Sequence, residues 1–218
     1  MTVLNCINNK SFHFESAYLG LTPFYKALEI QIELGKLAKS KQQISVVGLE
    51  HPAILTLGRR ADVKTEVNSL NDKFELPIVI TTRGGLATIH SEGQLVIYPI
   101  VNLREFNIGV RDYVHLLLKS THDLLNLFKI DSVIDADGIG IYTNFGKIAF
   151  CGVQIQNGIS CHGLSLNVRN DLTLFSTIRS CGSENQKLDS LNNYNISYTL
   201  EEIFNLWVQQ FLKRLIKL

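Results

Sequence analysis

The sequence predicts an α+β fold, a single domain in which strands joined by tight turns form a sheet and the helices are set apart from them. Four strand-like segments follow one another between residues 132 and 168, separated by hairpin signals such as Asn157-Gly158. Three helical segments lie outside this run, whereas a βαβ protein would alternate helices and strands. The chain has 218 residues, about the size of one domain, so we expect one domain over residues 1–218.

The first half of the chain contains one helix and four strand segments. Thr22 and Pro23 predict a helix start, because threonine caps a helix well and proline fits its first turn. The helix is expected to end near Ser40. Strands are predicted over residues 44–50, 53–58, 76–82 and 95–103. Pro99 lies in the last of these and cannot donate a ladder hydrogen bond, which indicates a bulge or an edge position.

The second half contains two helices around the strand-rich region. Apolar residues recur every three or four positions from Arg111 to Phe128, the spacing of an amphipathic helix. A last helix is predicted over residues 200–218, with Thr199 and Glu202 forming a capping box. Strands are predicted over residues 132–137, 138–144, 147–156 and 159–168.

Composition and charge argue against several classes of function. The formal net charge is +1, so no basic excess exists to bind nucleic acid. No apolar stretch approaches the ~18 residues that cross a membrane. The N-terminus lacks the basic start and apolar run of a signal peptide, and the four cysteines form no CxxC pair. We therefore expect a cytoplasmic protein with reduced thiols.

The sequence RGGLATIHSEGQ, residues 83–94, is the first candidate binding element. Glycine permits positive φ angles and lets the backbone approach a ligand closely, so free N–H groups can face a carbonyl or an anion. Arg-Gly-Gly alone is typical of a turn between strands. Thr88 and His90 follow at short spacing and make the run much more specific.

Lys147 and the pair His162-Gly163 are further candidates. Lys147 begins a strand directly after a turn, where a lysine is usually just solvated. Gly163 interrupts a strand pattern, which often marks the close approach of another backbone or of a ligand. Without context, His162 is most simply a histidine of the core.

Cys181 is the candidate nucleophile among the cysteines. It lies in an irregular segment and precedes a glycine, so exposure and free backbone donors are expected there. A nearby ammonium such as that of Lys147 would lower the pKa of the thiol. Cys151 lies in an apolar strand pattern and is expected to fill space, whereas Cys161 lies in a strand where its side chain should face away from that of His162. Zinc is not expected, since Cys161 and the adjacent His162 should point to opposite faces of a strand.

Five segments, taken in order, resemble the octanoyltransferases of lipoate biosynthesis, also called lipoyl(octanoyl) transferases. They are EHPAILTLG, TTRGGLATIHSEGQLVIYPIVNL, DGIGIYTNFGKIAFCGV, SCHGLSLNV and CG, and they extend from about Leu49 to Gly182. Residues 83–94 are the most diagnostic of them. The resemblance implies a mixed, largely antiparallel sheet with flanking helices, the fold of the biotin and lipoate protein ligases.

The resemblance also implies an activity. Such enzymes act without a cofactor or metal and move an octanoyl group from acyl carrier protein to a lysine on lipoyl domains. The acceptors are the lipoyl domains of 2-oxoacid dehydrogenases and the glycine-cleavage H protein, and a monomer is expected. Cys181 would take the acyl chain as a thioester, and Lys147 would lower its pKa and help activate the acceptor lysine. The substrate-binding residues would be Arg83, Gly84, Gly85, Leu86, Ala87, Thr88, Ile89, His90, Phe150, Cys151, Gly152, Gly163, Leu164 and Ser165, with His162 in a supporting role.

The sequence departs from the family pattern at three places. Ser91-Glu92 replaces a Gly-Pro pair, and Ser180 stands where a proline often precedes the nucleophile. The segment GSENQKLDSL after Cys181 matches the pattern poorly. Two alternatives therefore stay open: an ATP-dependent lipoate–protein ligase, and a non-catalytic binder of acyl carrier protein or lipoyl domains. A papain-type thiol hydrolase is disfavoured, because Cys181 does not open a long helix.

Overall fold

A computed structural model describes residues 3–7, 10–61, 76–136, 139–178 and 187–218. The elements in chain order are β1 (Val3–Ile7), β2 (Lys10–Leu21), α1 (Phe24–Ser40), β3 (Gln43–Glu50), β4 (Ile54–Leu57), β5 (Ile78–Ile80), β6 (Ala87–His90), β7 (Gln94–Ile100), α2 (Val110–Leu127), β8 (Val133–Ile134), β9 (Gly140–Tyr142), β10 (Lys147–Gln156), β11 (Ile159–Asn167) and α3 (Leu200–Leu215). Two short 3-10 helices cover Leu172–Thr177 and Leu191–Tyr194. The expected α+β class is confirmed.

The main sheet has eight strands in the order β1-β2-β3-β7-β11-β10-β9-β8. Its neighbouring strands run antiparallel except β2 and β3, which are parallel, so the sheet is mixed and largely antiparallel as expected. Helices α2 and α3 pack on one face, and α1 packs on the other across β3, β7 and β11. Both faces of the central strands are therefore buried.

A second, three-stranded sheet has the order β5-β4-β6. Its strand β6 occupies residues that the sequence predicted only as a loop between two strands. Leu55, Leu57, Ala87 and Ile89 of this sheet form an apolar cluster with Phe150 of β10. The small sheet thus packs over the strand that begins at Lys147.

The large core cluster lies between the main sheet and helices α2 and α3. Trp207 is fully buried there and donates a hydrogen bond from Nε1 to Thr121 Oγ1 at 2.8 Å. Arg214 of α3 and Asp123 of α2 form a bidentate ion pair at the edge of this contact. Polar links therefore fix how the two helices pack on the sheet.

The helix ends test the capping predictions. Thr199 and Glu202 form the expected capping box at the start of α3, which confirms that prediction. The expected cap of α1 is wrong: Pro23 is the N-cap residue, and Thr22 Oγ1 donates to the carbonyl oxygens of Leu19 and Gly20 instead. Proline before the first helical residue leaves the threonine one position too early to reach the helix.

Pro99 lies in β7, between β3 and β11, so the expected edge position is wrong. The pairing of β7 with β11 stops at the Ile97–Leu164 pair, and an isolated bridge follows between Asn102 and Ile159. An interior strand accommodates the proline because the ladder is interrupted beside it.

Strands β1 and β2 were not predicted at all. The Asp137-Gly138 turn, by contrast, was predicted and lies outside the described residues. Within the described ranges, no helix combines the length and the apolar character needed to cross a membrane.

Candidate active site

A pocket opens between the loop at residues 83–86, strand β6 and the paired strands β10 and β11. Its lining consists of Phe24, Arg60, Arg83, Gly85, Leu86, Ala87, Thr88, His90, Val96, Tyr98, Ile139, Lys147, Phe150, Cys151, Gly152, His162, Gly163, Leu164 and Ser165. The described part of this lining includes cationic side chains and no carboxylate. Such a lining suits a ligand that is apolar or that carries electronegative atoms.

Most of the residues expected at the site meet at this pocket. Of the substrate-binding set, Gly84 and Ile89 lie outside the lining, and all the others belong to it. Lys147 and His162 belong to it as well. Cys181 and Gly182 lie outside the described residues.

Arg83 fixes the glycine loop to the small sheet. Its Nη2 donates to Thr56 O at 2.7 Å and to Thr56 Oγ1 at 2.9 Å, while Nη1 donates to Gly84 O at 3.0 Å. Gly84 N donates to Val153 O of β10 at 2.9 Å, and Gly85 has a φ of 90°. The two glycines therefore let the loop approach β10 closely, and Arg83 binds that loop to Thr56 of the small sheet.

Lys147 is buried, with 1% of its surface exposed. Its Nζ lies 4.9 Å from the centre of the Phe150 ring and 5.4 Å from that of Tyr142. An ammonium is attracted to the face of an aromatic ring, and this attraction grows when water is excluded. Lys147 is therefore not the solvated lysine that is usual at the start of a strand.

The backbone of Lys147 is joined to a distant segment. Lys147 N donates to Lys187 O at 2.9 Å, and Asp189 N donates to Lys147 O at 3.0 Å. The Asp189 side chain is fully buried and accepts from Ser190 N at 2.8 Å and from Tyr194 Oη at 2.5 Å. Asn193 and Thr143 donate to it as well. This carboxylate fixes residues 187–194 against the start of β10.

A polar chain connects the same segment to the pocket. His90 donates from Nδ1 to Gln94 Oε1 at 2.6 Å, and Gln94 Nε2 donates to Asn167 Oδ1 at 2.9 Å. Asn167 Nδ2 then donates to Asp189 O at 3.0 Å. Gln94 Nε2 donates to Asn167, so the amide oxygen of Gln94 is the atom that accepts from His90. His90 therefore carries its proton on Nδ1.

His162 has a left-handed backbone, with a φ of 59°. It pairs with Val153, and regular pairing would place both side chains on the face of the main core. Its ring instead stacks on Phe24 of α1, with centroids 6.4 Å apart. Cys161 also faces α1, since its Sγ donates to Gln31 Oε1 at 3.2 Å. The expectation that Cys161 and His162 point to opposite faces is therefore wrong, because the left-handed residue breaks the alternation.

His51 and Tyr98 are important residues of this region that the sequence did not single out. His51 is fully buried and donates from Nδ1 to Thr22 O at 2.7 Å, so its Nε2 accepts from Tyr98 Oη at 2.9 Å. The rings of Phe24, His51, Tyr98 and His162 contact one another. We call these four residues the aromatic cluster. The His-Pro pair directly after β3 is the signal that the sequence offers for this residue.

Burial keeps the histidines of this region neutral. It lowers the pKa of His51 and of His162 to about 4, and the charge of Arg83 adds to the shift at His162. Burial lowers the pKa of His90 to about 3, with a further contribution from His51. The pocket therefore presents uncharged imidazole rings near neutral pH.

Two smaller polar groups complete the pocket. Burial raises the pKa of the Cys151 thiol to about 12, against the opposing charge of Lys147, so this cysteine stays protonated near neutral pH. Its side chain packs against the main core, in line with the space-filling role expected for it. Thr88 is 8% exposed, and its Oγ1 has no hydrogen-bond partner among the described residues. A ligand atom that accepts a hydrogen bond can satisfy this hydroxyl.

Comparison with known proteins identifies the family. Residues 23–212 match the model described as the lipoyl protein ligase A/B catalytic domain. Curated proteins named octanoyltransferase match most of the chain, and that of Halorhodospira halophila is 33% identical over 191 residues, covering 88% of this chain and 86% of the relative. The chain belongs to the octanoyltransferase family. Its expected family membership is thereby confirmed.

Solved structures agree on the fold of this family member. A crystal structure of lipoate-protein ligase A bound with ATP has a TM-score of 0.72 at 13% identity, covering 91% of this chain and 84% of that one. A biotin acetyl coenzyme A carboxylase synthetase from Helicobacter pylori has a TM-score of 0.53 at 11% identity, covering 93% and 75%. The expected biotin/lipoate protein ligase-like fold is confirmed.

Proposed function

We propose that this member of the octanoyltransferase family moves an octanoyl group from acyl carrier protein to a lysine of lipoyl domains, through a thioester on Cys181. The acceptors proposed are the lipoyl domains of 2-oxoacid dehydrogenases and the glycine-cleavage H protein. The chain would act as a monomer, with residues 1–218 as one catalytic domain. The enzyme class follows from the family, and the donor, acceptors and residue roles are the proposal.

The observation that carries the proposal is the burial of Lys147 at an apolar pocket. A charge that is sheltered from water acts more strongly on neighbouring groups than an exposed charge does. Here the ammonium lies between two aromatic rings at the wall of the pocket. A cation in that place favours the thiolate form of a neighbouring cysteine, and it can accept or donate a proton during acyl transfer.

The anchoring of the segment around Cys181 supports its role as nucleophile. Ile178 packs in the apolar cluster that contains Phe150, and Lys187 O accepts from Lys147 N. The chain therefore leaves and re-enters the described structure beside the pocket. Three residues span at most about 11 Å, and Ile178 packs in the cluster that contains Phe150, so a role for Cys181 at this pocket is compatible with the described residues on either side of it.

The proposed chemistry consists of two acyl transfers. The Cys181 thiolate attacks the thioester carbonyl of the octanoyl donor; a new carbon–sulfur bond forms, and the carrier thiolate leaves and takes a proton. The uncharged amine of the acceptor lysine then attacks the Cys181 thioester. An amide forms and the Cys181 thiolate leaves. Lys147, which gave its proton to the carrier thiolate in the first transfer, accepts the proton that the amine loses and is an ammonium again. Cysteine suits this sequence because a thiolate is both a soft nucleophile and a good leaving group.

The pocket walls fit the acyl part of this substrate. Gly85, Leu86 and Ala87 form one side, and Gly163 and Leu164 form part of the other. Each buried methylene contributes about 0.8 kcal/mol, so a narrow apolar slot is enough to bind an eight-carbon chain. The Thr88 hydroxyl and backbone N–H groups are available to a carbonyl oxygen.

Intact-mass analysis after exposure to octanoyl-acyl carrier protein tests the proposal. The wild type should gain one octanoyl adduct that hydroxylamine removes, and Cys181→Ser should not gain it. Cys161→Ser is the matched control and should still be acylated. An unmodified wild type, or an undiminished adduct in Cys181→Ser, contradicts the thioester. Modification of a lipoyl domain by free lipoate and ATP, but not by the octanoyl donor, would favour the ligase alternative.

A further inference from the structure

We propose that Phe24, Tyr98 and His162 form the closed end of the acyl pocket and set the longest acyl chain that the enzyme accepts. The inference rests on the proposed function and adds to it a reason for the chain length of the substrate. Gln31 and His51 are positioning residues for this end. Of these five residues, the sequence predicted only His162 at the site, in a supporting role.

Burial distinguishes the closed end from the mouth. Phe24, Tyr98 and His162 are 7%, 3% and 4% exposed. Arg60, in contrast, is exposed, and Gly85 is half-buried. All five line the same pocket. An acyl chain that enters past Arg60 and Gly85 therefore meets three packed rings at the other end.

The strand register gives the distance available to the chain. The Lys147 ammonium lies 4.9 Å from the Phe150 ring, and His162 is paired with Val153, three residues farther along β10. Three residues of a strand span about 10 Å. The seven carbon–carbon bonds of an octanoyl group, each about 1.5 Å long and set in a zigzag, span about 9 Å. The register therefore places the His162 position about one octanoyl length along the sheet from Phe150, whose ring contacts the lysine, and the proposal takes this spacing as the length of the slot.

Two buried polar side chains hold the rings in place. Gln31 of α1 is 4% exposed, and its Oε1 accepts from His162 N at 2.7 Å. This bond stabilises a backbone conformation that is uncommon for a residue other than glycine. On the other side, His51 holds the Tyr98 hydroxyl and is itself held by Thr22 O. The end wall is thus fixed by side chains as well as by packing.

Two substitutions that enlarge the pocket test the proposal, in the full chain. The donors are acyl carrier protein carrying octanoyl, decanoyl or dodecanoyl groups, and the readout is the ratio of kcat/KM for dodecanoyl to that for octanoyl. Phe24→Ala and His162→Gly should each raise this ratio at least tenfold, since each additional buried methylene favours binding about fourfold. Glycine suits position 162 because the left-handed backbone costs it nothing.

Tyr25 supplies the matched control. It neighbours Phe24 on α1 but is 64% exposed, so Tyr25→Ala should leave the chain-length profile unchanged. Gln31→Leu removes the acceptor of His162 N and should shift the profile in the same direction as His162→Gly, by a smaller factor. Phe24→Leu is the milder replacement if Phe24→Ala unfolds below the assay temperature.

The outcomes separate this inference from the proposed function. Wild-type enzyme that fails to transfer octanoyl refutes the proposed function, whatever the variants do. Wild-type enzyme that transfers octanoyl, together with folded pocket variants whose profile is unchanged, overturns the assignment of the closed end. If only Gln31→Leu leaves the chain-length profile unchanged, that glutamine has no positioning role. An equal shift in Tyr25→Ala refutes the assignment, because the change would not come from the pocket.

Discussion

The two ends of the pocket are built on opposite principles. At one end a single charged group, Lys147, lies between two rings, and its backbone is bound to residues 187–189. At the other end, buried histidine and aromatic rings contact one another and are kept neutral by burial. The first end holds the charge that the proposed acyl transfer uses. The second offers shape rather than charge, because burial keeps its imidazole rings neutral.

This difference explains how one slot can be both reactive and selective. A charge that takes part in a reaction must be close to the reacting atoms, whereas selection by length needs a rigid and unreactive wall. In the proposed enzyme, the two tasks would therefore belong to the two ends of the pocket. Substitutions at one end should change rate, and substitutions at the other should change selectivity or stability.

The sharpest test of the reactive end is Lys147→Met. Methionine fills similar volume without a charge, so the fold should persist while the rate of octanoyl transfer falls by roughly 10²- to 10⁴-fold. Steady-state kinetics with octanoyl-acyl carrier protein and a lipoyl domain measures the loss. Lys187→Met, which changes an exposed lysine on the adjacent segment, is the control and should retain activity. Normal turnover in Lys147→Met would remove the lysine from the mechanism.

Asp189→Ala tests what holds the reactive end in place. The substitution leaves the buried donors of Ser190, Tyr194 and their neighbours without their acceptor, so the free energy of unfolding should fall by about 3–5 kcal/mol. Urea unfolding measures the change, with Asp131→Ala, at an exposed carboxylate, for comparison. Unchanged stability would mean that the network around this carboxylate contributes little.

Acid should act on the neutral end. Three histidines there have folded pKa values of about 3 to 4, below the unfolded value of 6.5. As pH falls below about 6.5, these histidines bind protons in the unfolded chain but not in the folded chain. Their contribution to the free energy of unfolding is therefore complete above pH 6.5 and is lost as the pH falls to about 4. The histidines lie close together and repel one another when charged, so the loss belongs to the group and should amount to a few kcal/mol in all.

Urea unfolding between pH 7.5 and pH 4.5 checks this loss. His162→Asn should reduce the dependence on pH, because asparagine tolerates the left-handed backbone and does not titrate. A stability profile identical to that of the wild type would show that His162 does not resist protonation.

The smallest effect is expected between the two ends, at Thr88. Thr88→Val keeps the shape and removes the unpartnered hydroxyl, so kcat/KM should fall by several-fold and at most about tenfold. Thr82→Val, at an exposed threonine outside the pocket, is the control. Unaltered kinetics in Thr88→Val would mean that no substrate oxygen binds the hydroxyl.

Features encoded in neighbouring residues were predictable from the sequence. The capping box at Thr199 needs only four consecutive positions, and the hairpin at Asn157-Gly158 needs two. Both are present as predicted. The resemblance to a known family predicted many of the pocket residues, such as Arg83, Lys147 and Gly163, but not Phe24 or Tyr98.

Features that depend on distant partners were not predictable. Gln31 looks like one polar residue on an amphipathic helix, yet it is buried because β11 lies against α1. His162 adopts a left-handed backbone that no local pattern signals, and His51 gains its meaning only from Tyr98. Asp189 lies in the segment that matched the family least well, and the structure shows why a carboxylate is used there.

The packing of α1 on β11 has a consequence for how the chain folds while it is being synthesised. Helix α1 leaves the ribosome more than a hundred residues before the strand that covers it. At about 5–20 residues per second, this delay lasts on the order of ten seconds. During that interval, the part of the apolar face that packs on β11 lacks its native partner, although β3 and then β7 become available to the rest of that face. A nascent chain of this kind should therefore keep some apolar surface of α1 open to chaperones until β11 has been synthesised.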